Sequence, residues 1–245
     1  MSLPLYLQPK ANYDLIRLGK NNDGGYLVER KSIEISKYLI SVGIYNDWSF
    51  EKDFIKTNKG SKIFCYDSQV SLNFFAKKIV KYFFFVFYYG FAELYNLIKL
   101  YFDFNYFFSK NLFFKKHISY NDIINIVKKN NLDNQIFLKI DIEGSEYRVL
   151  EDLISIKEKI SGICIEFHDV DLHLDKIKKF IKEIDLTLVH IHPNNYAKKD
   201  LNNDPTVIEL TFAKKAKSNN NKLVLPNLLD QKNNPQAEDI LIKFS

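Results

Sequence analysis

Short apolar runs alternate along the chain with segments in which hydrophobic residues recur every three or four positions. The runs are apolar or β-branched and too short to be helices, which is typical of buried strands. They occupy residues 38–44, 62–66, 136–142 and 160–167. The helical spacing occupies residues 122–129, 146–156 and 174–184, and a further helix is expected from Ser49 onward. Strands that alternate with helices predict parallel β-α-β units with right-handed crossovers.

The C-terminal third of the chain changes this rhythm. Residues 186–191 and 207–213 predict two strands with no helix between them, and their linker is rich in Pro, Asn and Asp. Such a linker favours an antiparallel hairpin, so we expect an α/β fold with a mostly parallel sheet that this hairpin closes. Another hairpin turn is expected at Asp23, Gly24 and Gly25, where glycine permits a positive φ. The polar end of that turn is also a candidate cover for a bound cofactor.

One aromatic segment, residues 74–114, does not fit the alternation. It contains 19 of the chain's 37 aromatic residues (21 Phe, 15 Tyr and 1 Trp in all). Lys81, Glu93, Lys99 and Asp103 interrupt it, whereas a membrane span needs about 20 mostly apolar residues. Two interpretations stay open: a helical insertion that packs its rings on the main domain, or an interfacial helix or acceptor-binding lid that contacts a membrane surface. Residues 1–245 are expected to form a single domain around this insertion.

Composition narrows the class of protein. Hydrophobic residues make up 46% and charged residues 27% of the chain, which excludes general disorder and a fibrous repeat. Cys65 and Cys164 each lie in an apolar run, so we expect buried thiols rather than a disulfide scaffold or a cysteine-rich metal site. The formal net charge of +5 favours an anionic partner or a membrane surface, but it is too dispersed for a nucleic-acid site. No signal-peptide pattern begins the sequence, so the expected location is the cytoplasm.

The first candidate site is the turn that follows the strand at 38–44. Gly43 would let a ligand approach the backbone closely, at the position where doubly wound sheets bind nucleotides. Asp67, at the end of the next strand, is placed to accept hydrogen bonds from both hydroxyl groups of a ribose. Each feature has an ordinary alternative. For the turn it is an ordinary strand–helix turn capped by Asp47 or Ser49, and for Asp67 it is a capping carboxylate.

Acidic residues cluster at the ends of the next two strands. Asp141 lies inside an apolar strand, where an unpaired charge is costly, and Glu143 and Glu146 follow it within five residues. Glu166 and His168 lie at the end of the strand after that. Because the carboxyl ends of parallel strands meet at one edge of a sheet, we expect these strand-end residues to converge.

Taken together, these motifs resemble the FkbM-type S-adenosylmethionine-dependent methyltransferases. The similarity extends in order from residue 17 to residue 212 and leaves the aromatic segment unmatched. Its motifs are RLGKNNDGGYLV, SVGIYNDWSFEKDF, FCYDS, IFLKIDIEGSEYRVLEDL, GICIEFHD, IHPNNYA and VIELTF. The resemblance implies a Rossmann-like class I methyltransferase fold and methyl transfer to a hydroxyl group, often that of a sugar in a glycan or natural product.

The resemblance also implies site residues. Gly43, Ile44, Tyr45 and Asp47 would face the cofactor, Asp67 would hold its ribose, and Asp141 and Glu143 would lie at the methyl-transfer end. Position in the sequence adds the other candidates. Ser68 and Asp141 join the cofactor-binding residues, and His168 joins Asp141 and Glu143 as a catalytic candidate. The candidates for the substrate side or a lid are Asp23, Gly24, Gly25, Glu166 and His192. His192 lies nearer its loop than His190, so it is expected to reach the cleft, whereas His190 is expected to pack.

The chemistry of such a reaction requires help for the acceptor. A sugar hydroxyl is a poor nucleophile at neutral pH, so it needs a base or a divalent metal that lowers its pKa. Asp141, Glu143 or His168 is the expected base. Asp141, Glu166 and His168 are instead candidate ligands of Mg²⁺, for which His is the poorer partner. We favour the base.

The functional prediction is a cytoplasmic S-adenosylmethionine-dependent O-methyltransferase. Its acceptor would be a carbohydrate, in a surface polysaccharide or a nucleotide- or lipid-linked precursor, with contact to the inner membrane face a further hypothesis. The rival prediction is a non-catalytic module of the same fold that docks a partner or a membrane through residues 74–114. A nucleic-acid methyltransferase is disfavoured because the chain has no base-flipping Asn-Pro-Pro-Tyr motif and no groove-sized basic run.

Overall fold

A computed structural model describes residues 3–219 and 222–245 of the chain. Two strands of the described part form a separate antiparallel hairpin, β1 (Leu15–Leu18) and β2 (Tyr26–Glu29). A single larger sheet contains β3 (Tyr38–Val42), β4 (Lys62–Asp67), β5 (Leu112–Lys115), β6 (Ile136–Ile140), β7 (Ile160–Phe167), β8 (Thr187–Pro193) and β9 (Ile208–Ala213). Of its strands, β9 runs antiparallel to both of its neighbours, β7 and β8, and the other pairs are parallel.

Helices connect most of these strands. The α-helices of the described ranges are α1 (Arg30–Glu34), α2 (Ser49–Thr57), α3 (Leu72–Phe84), α4 (Val86–Tyr89), α5 (Phe91–Phe108), α6 (Asp122–Lys129), α7 (Leu150–Ser155) and α8 (Val170–Glu183). Short 3-10 turns occur at Leu5–Leu7, Glu146–Arg148 and Lys157–Lys159.

The large sheet has the strand order β5-β4-β3-β6-β7-β9-β8. Every residue of β6 and β7 is buried, which explains why these strands are continuous apolar runs rather than alternating ones. The order reverses between β3 and β6, and ligands of open α/β sheets bind beyond the carboxyl ends of strands at such a point. The order and directions are those of the Rossmann-like class I methyltransferase fold, so the predicted fold class is confirmed, including the hairpin of β8 and β9.

The N-terminal hairpin turn is also confirmed. Strands β1 and β2 pair from Leu15 opposite Glu29 to Leu18 opposite Tyr26, and Gly24 in the turn has a φ of 82°. The hydroxyl of Thr211 on β9 donates a hydrogen bond to the carbonyl oxygen of Leu27 at 2.7 Å. The hairpin therefore packs against the β8–β9 end of the large sheet.

Two predicted helices have different boundaries in the structure. Residues 146–156 form a 3-10 turn followed by α7, because the side chain of Glu146 bonds the preceding turn instead of continuing a regular helix. Helix α8 begins at Val170, four residues before the predicted start, and contains a non-helical residue at His173. The first turn of this helix contains polar residues, so the hydrophobic periodicity did not indicate that the helix begins there.

The aromatic segment is not an all-helical insertion. Its helices α3, α4 and α5 replace a simple crossover between β4 and β5, and its last residues belong to β5, which pairs with β4 at the sheet edge. Phe75 and Phe104 pack with Trp48, with ring centroids 6.3 and 5.3 Å from the indole. No helix in the described part of the chain is long and apolar enough to cross a membrane.

Several buried polar side chains lie between the sheet and α2. Lys139 on β6 and Glu51 on α2 are both buried, and the hydroxyl of Ser41 on β3 donates a hydrogen bond to Glu51. Cys65 and Cys164 are free and buried, as expected. The core between β3, β6 and α2 is thus apolar except for one group of interacting polar residues.

Candidate active site

Gly43 directly follows β3 and has a φ of 80°. A Cβ atom at this position would lie 1.6 Å from the carbonyl oxygen of Asp141. The Nζ of Lys139 also donates a hydrogen bond to the carbonyl oxygen of Gly43 at 2.9 Å. Glycine is therefore required at residue 43 by the contact between two strand ends. The sequence-based expectation was that glycine lets a ligand approach the backbone there.

A cavity of about 530 Å³ opens beyond the carboxyl ends of β3, β4 and β6. Asp67 lies in its wall and accepts three backbone hydrogen bonds, from the N–H groups of Tyr45 at 2.8 Å, Gln69 at 2.7 Å and Val70 at 2.9 Å. Asp67 therefore has the capping role that was its alternative, and it faces the cavity as well. The predicted residues that line this cavity are Asp23, Gly43, Tyr45, Asp67, Ser68, Asp141 and Glu143.

Three residues other than glycine adopt a positive φ just after the central strands. They are Tyr45 after β3 (39°), Glu143 after β6 (52°) and Asp169 after β7 (50°). Such backbone costs on the order of 1 kcal/mol or more per residue and clusters at functional sites. At Glu143 it turns the side chain out of the sheet, where it is 83% exposed at the cavity.

A second cavity, of about 400 Å³, adjoins the first. The two cavities share Asp23, Asp141 and Glu143. The wall of the second also includes Glu166 and His168, so the strand-end residues that were expected to converge do surround one cavity. The side chains common to both cavities are therefore acidic.

Glu146 organises the turn after β6. It is fully buried, and its Oε1 accepts hydrogen bonds from the N–H groups of Ile142 and Gly144 at 3.1 Å each. The same oxygen lies 3.0 Å from Nδ1 of His168. A carboxylate in this position favours the tautomer of His168 in which Nδ1 carries the proton.

The other ring nitrogen of His168 faces Glu143 and Glu166. Its Nε2 lies 3.4 Å from Oε2 of Glu143 and 3.4 Å from Oε1 of Glu166. Burial lowers the pKa of His168, but the hydrogen bond to Glu146 and the charges of Glu146, Asp141 and Glu143 outweigh it. The net result is a pKa above the ordinary value for histidine.

Asp141 is held by a second group of residues. The hydroxyl of Tyr26 donates a hydrogen bond to Asp141 Oδ2 at 3.1 Å, and Lys139 precedes Asp141 by two positions, so both extend from the same face of β6. Burial raises the pKa of Asp141, although the charges of Lys139 and His168 and the Tyr26 hydrogen bond oppose this effect. The carboxyl group is therefore more basic than an ordinary Asp.

Acidic residues continue from Asp141 along the sheet. Glu166 on β7 lies directly opposite Glu209 on β9, and Glu209 lies opposite His192 on β8. Burial raises the pKa of Glu166 well above its usual range and that of Glu209 to about 8. The amide of Asn233 donates a hydrogen bond to Glu209 at 2.8 Å, which partly offsets the effect.

Among the described residues, one group of side chains is a candidate site for a divalent cation. Ligand atoms of Asp141, Glu143 and His168 lie within 4.8 Å of one another, so the set includes Glu143 where the sequence analysis had Glu166. Two carboxylates and an imidazole suit Mn²⁺, Fe²⁺ or Zn²⁺ better than Mg²⁺. Nδ1 of His168 is engaged by Glu146, which leaves Nε2 as its only free ligand atom.

Four predicted residues lie away from the cavity walls. Ile44 packs in the core. Asp47 accepts a hydrogen bond from the N–H of Ser49 at 3.0 Å, which is the capping alternative, and pairs with Lys20 at 3.2 Å. Gly24 and Gly25 shape the hairpin turn that brings Asp23 to both cavities. Their contribution to the site is therefore indirect.

The expectation that His192 reaches the cleft is wrong. His192 is buried, with Nε2 3.0 Å from Oδ1 of Asn233 and Nδ1 3.6 Å from Asp230. Burial lowers its pKa. The C-terminal residues fold back over β8 and cover this histidine, a long-range contact that the local pattern around His192 does not reveal.

Four residues at or near the site were not predicted from the sequence: Tyr26, Lys139, Asn194 and Glu209. Lys139 and Glu209 are each a charged residue inside an apolar strand, which is the criterion that identified Asp141. Asn194 lies in the IHPNNYA motif and donates a hydrogen bond to Glu166 at 3.1 Å. Tyr26 had no such signal, because an aromatic residue in a strand is ordinary.

No family model matches the chain, and no curated protein does either. Among solved structures, it is similar to M. capricolum TrmK bound to S-adenosyl-homocysteine (16% identity, 79% of this chain and 69% of that one, TM-score 0.40). Others are Methanococcus jannaschii fibrillarin (7%, 76% and 70%, TM-score 0.41) and a precorrin-6y C5,15-methyltransferase from Geobacter metallireducens GS-15 (10%, 76% and 86%, TM-score 0.40). The assignment of the fold rests on the strand order.

Proposed function

We propose that this protein is an S-adenosylmethionine-dependent O-methyltransferase that acts on a hydroxyl group of a carbohydrate. The observation that best supports this is the meeting of two cavities at Asp23, Asp141 and Glu143. A methyl donor in the first cavity and an acceptor in the second would meet at that boundary. Alignment of two reactants in this way is the main contribution that methyl transfer needs from a protein.

The first cavity suits the donor. S-adenosylmethionine supplies an electrophilic methyl group on a positively charged sulfur. Tyr66, Ile118 and Ile142 provide apolar wall for an adenine. Asp67 accepts two of its three backbone hydrogen bonds at Oδ1 and one at Oδ2, so Oδ2 retains one lone pair for a ribose hydroxyl. Asp141, at the boundary of the cavities, provides negative charge for the sulfonium. The volume of about 530 Å³ lies within the usual range for a cofactor pocket.

The second cavity suits a polyhydroxylated acceptor. Glu166 and Asn194 offer hydrogen-bond acceptors and donors, and the ring of Tyr196, which is 61% exposed, offers a flat surface for a sugar. Its wall is predominantly polar, unlike a pocket for an apolar acceptor. These features favour a carbohydrate over a hydrophobic substrate.

We assign the general base to His168. With Nδ1–H donated to Glu146, the lone pair of Nε2 faces the second cavity and can accept the proton of the acceptor hydroxyl. The hydroxyl oxygen then forms a bond to the methyl carbon, the carbon–sulfur bond breaks, and its electron pair stays on sulfur. Glu146 acts as a positioning residue that sets the tautomer and raises the basicity of the ring.

Donor binding is tested by calorimetry on the intact protein. We expect micromolar binding of S-adenosylmethionine, and we expect Asp67→Ala to weaken it about 10–100-fold because hydrogen bonds to a charged acceptor are lost. Asp133→Ala, at an exposed acid on the far side of β6, is the matched control. Absence of binding to the unmodified protein would refute the proposal.

The base is tested by the pH dependence of turnover. The assay uses labelled S-adenosylmethionine with a panel of nucleotide sugars and cell-envelope glycans, with and without a chelator. Because the pKa of His168 is raised, the rate should increase with pH through a midpoint above 6.5. Glu146→Gln should move this midpoint to lower pH, and His168→Ala should reduce turnover about 100-fold or more with donor affinity retained. Donor binding without turnover on any acceptor would favour the non-catalytic module.

A further inference from the structure

The distal part of the α3–α4–α5 hairpin contributes no buried residue to the core, and only Ile79 and Tyr82 pack partly against it. All residues from 76 to 96 lie in the described part of the chain, and none of them is buried. The last buried residue of α3 is Phe75, and the first of α5 is Leu97. Beyond Ile79 and Tyr82 this stretch therefore projects from the domain. The interpretation that the rings pack on the main domain holds for other residues of the aromatic segment, such as Phe75 and Phe104, and not for this stretch.

The projecting stretch is strongly aromatic. We name residues 82–95 the aromatic tip, which includes all of α4. Phe84 is 75% exposed, Phe87 94% and Tyr88 84%. The other exposed rings of the tip are Phe83, Phe85, Phe91 and Tyr95. A contiguous exposed apolar surface of this kind marks an interaction site in a soluble protein.

The aromatic tip has only one charged residue, Glu93, but the longer segment that contains it is positively charged. Residues 72–116 contain seven lysines and only two acidic residues, Glu93 and Asp103, so their net charge equals the +5 of the whole chain. Asp103 is paired with Lys52 of α2. Lys78 and Lys81 lie beside the rings, with Nζ 5.9 Å from the centre of Tyr82 and 5.8 Å from that of Tyr89.

We infer that the aromatic tip docks on the surface of a bilayer that contains anionic phospholipids. Aromatic rings partition to the boundary between headgroups and acyl chains, and flanking lysines are attracted by anionic headgroups. Glu93, Lys99 and Asp103 interrupt α5, so the helix suits a position at the surface and not across the bilayer. A second copy of the chain is a poorer occupant, since it would bring two segments of charge +5 together.

The inference is independent of the proposed function and is tested by vesicle co-sedimentation with the full chain. We expect binding to vesicles of phosphatidylcholine with about 30 mol% phosphatidylglycerol, and little binding to phosphatidylcholine alone. About 0.5 M NaCl, which reduces the Debye length to about 4 Å, should weaken it strongly.

Two variants separate the contributions of rings and charges. Phe84→Ser combined with Phe87→Ser and Tyr88→Ser should reduce the partition coefficient at least about 100-fold. Lys77→Gln with Lys81→Gln should reduce it about 25-fold. The matched control combines Tyr120→Ser with Leu228→Ser, two exposed apolar residues outside the segment, and should bind like the unmodified protein. All five substituted positions are exposed, so thermal melting should be unchanged.

Three results would overturn the inference. The first is no binding of the unmodified protein to anionic vesicles. The second is an equal loss of binding in the control, which would show that the tip is not the contact. The third is concentration-dependent self-association that the tip variant abolishes, without vesicle binding, which would identify a second copy as the occupant.

Discussion

Glu209 is a buried carboxyl group on β9, opposite Glu166 of β7 on one side and His192 of β8 on the other. Its replacement by Gln keeps the size of the side chain and an oxygen that can accept the hydrogen bond from Asn233. The substitution removes only the ability to ionise. It therefore isolates the free-energy cost of a buried carboxylate.

The magnitude follows from the shift in pKa. Burial raises the pKa of Glu209 from 4.5 to about 8. A raised pKa in the folded state means that the stabilising contribution is complete below pH 4.5 and is lost as the pH rises to about 8. At about 1.4 kcal/mol per unit, the cost to the native protein is about 2 kcal/mol at pH 6 and about 5 kcal/mol at pH 9. Gln does not ionise and so does not have this cost. The stability of the Glu209→Gln variant relative to the unmodified protein should therefore increase by about 2–3 kcal/mol from pH 6 to pH 9.

Urea unfolding at pH 6 and pH 9 measures the difference. The free energy of unfolding falls by about 2–3 kcal/mol per molar urea. The difference in urea midpoint between Glu209→Gln and the unmodified protein should therefore be about 1 M larger at pH 9 than at pH 6. Glu158→Gln, at a side chain that is 79% exposed, serves as the control and should show no such trend. A difference between Glu209→Gln and the unmodified protein that does not depend on pH would refute the reasoning.

Two further predictions concern the core beneath the site. Lys139→Met should destabilise the protein by about 3–5 kcal/mol, because Glu51 loses the cation that compensates its buried charge. Combining it with Glu51→Gln should restore part of this loss. A double variant that is no more stable than Lys139→Met in urea unfolding would contradict this prediction. Gly43→Ala should cost several kcal/mol, since its Cβ would lie 1.6 Å from the carbonyl oxygen of Asp141, whereas Gly60→Ala, with nothing nearer than 3.9 Å, should change the midpoint little. Equal midpoints for the two alanine variants would show that the backbone at residue 43 relaxes freely.

The regular parts of the fold were predictable from the sequence because burial and periodicity are local properties. Strands β3, β4, β6 and β7 are apolar runs, and the linker between β8 and β9 has turn chemistry. The edge strand β5 was missed since its four residues are mostly exposed and continue the aromatic composition of α5. Its strand character comes from pairing with β4, which no local pattern expresses.

The candidate site was predictable to the same extent. A charge in an apolar strand identified Asp141, and parallel strand ends placed Glu166 and His168 near it. Glu146 was singled out for its charge, but its role in fixing His168 depends on a turn whose geometry only the fold reveals. The burial of His192 depends on residues about 40 positions later in the chain, and the roles of Tyr26 and Glu209 depend on contacts between separate elements.

The two cavities differ in what builds them. The ends of the sheet strands form most of the first, and both include Asp23 from the β1–β2 turn, whereas only the second takes Asn194, Tyr196 and Ala197 from the loop after β8. Surface loops can be exchanged or lengthened with little disturbance to a sheet core. Exchange of the loop after β8 should therefore change the wall of the second cavity while the first stays intact, so under the proposed function this scaffold has a simple route to new acceptor specificities.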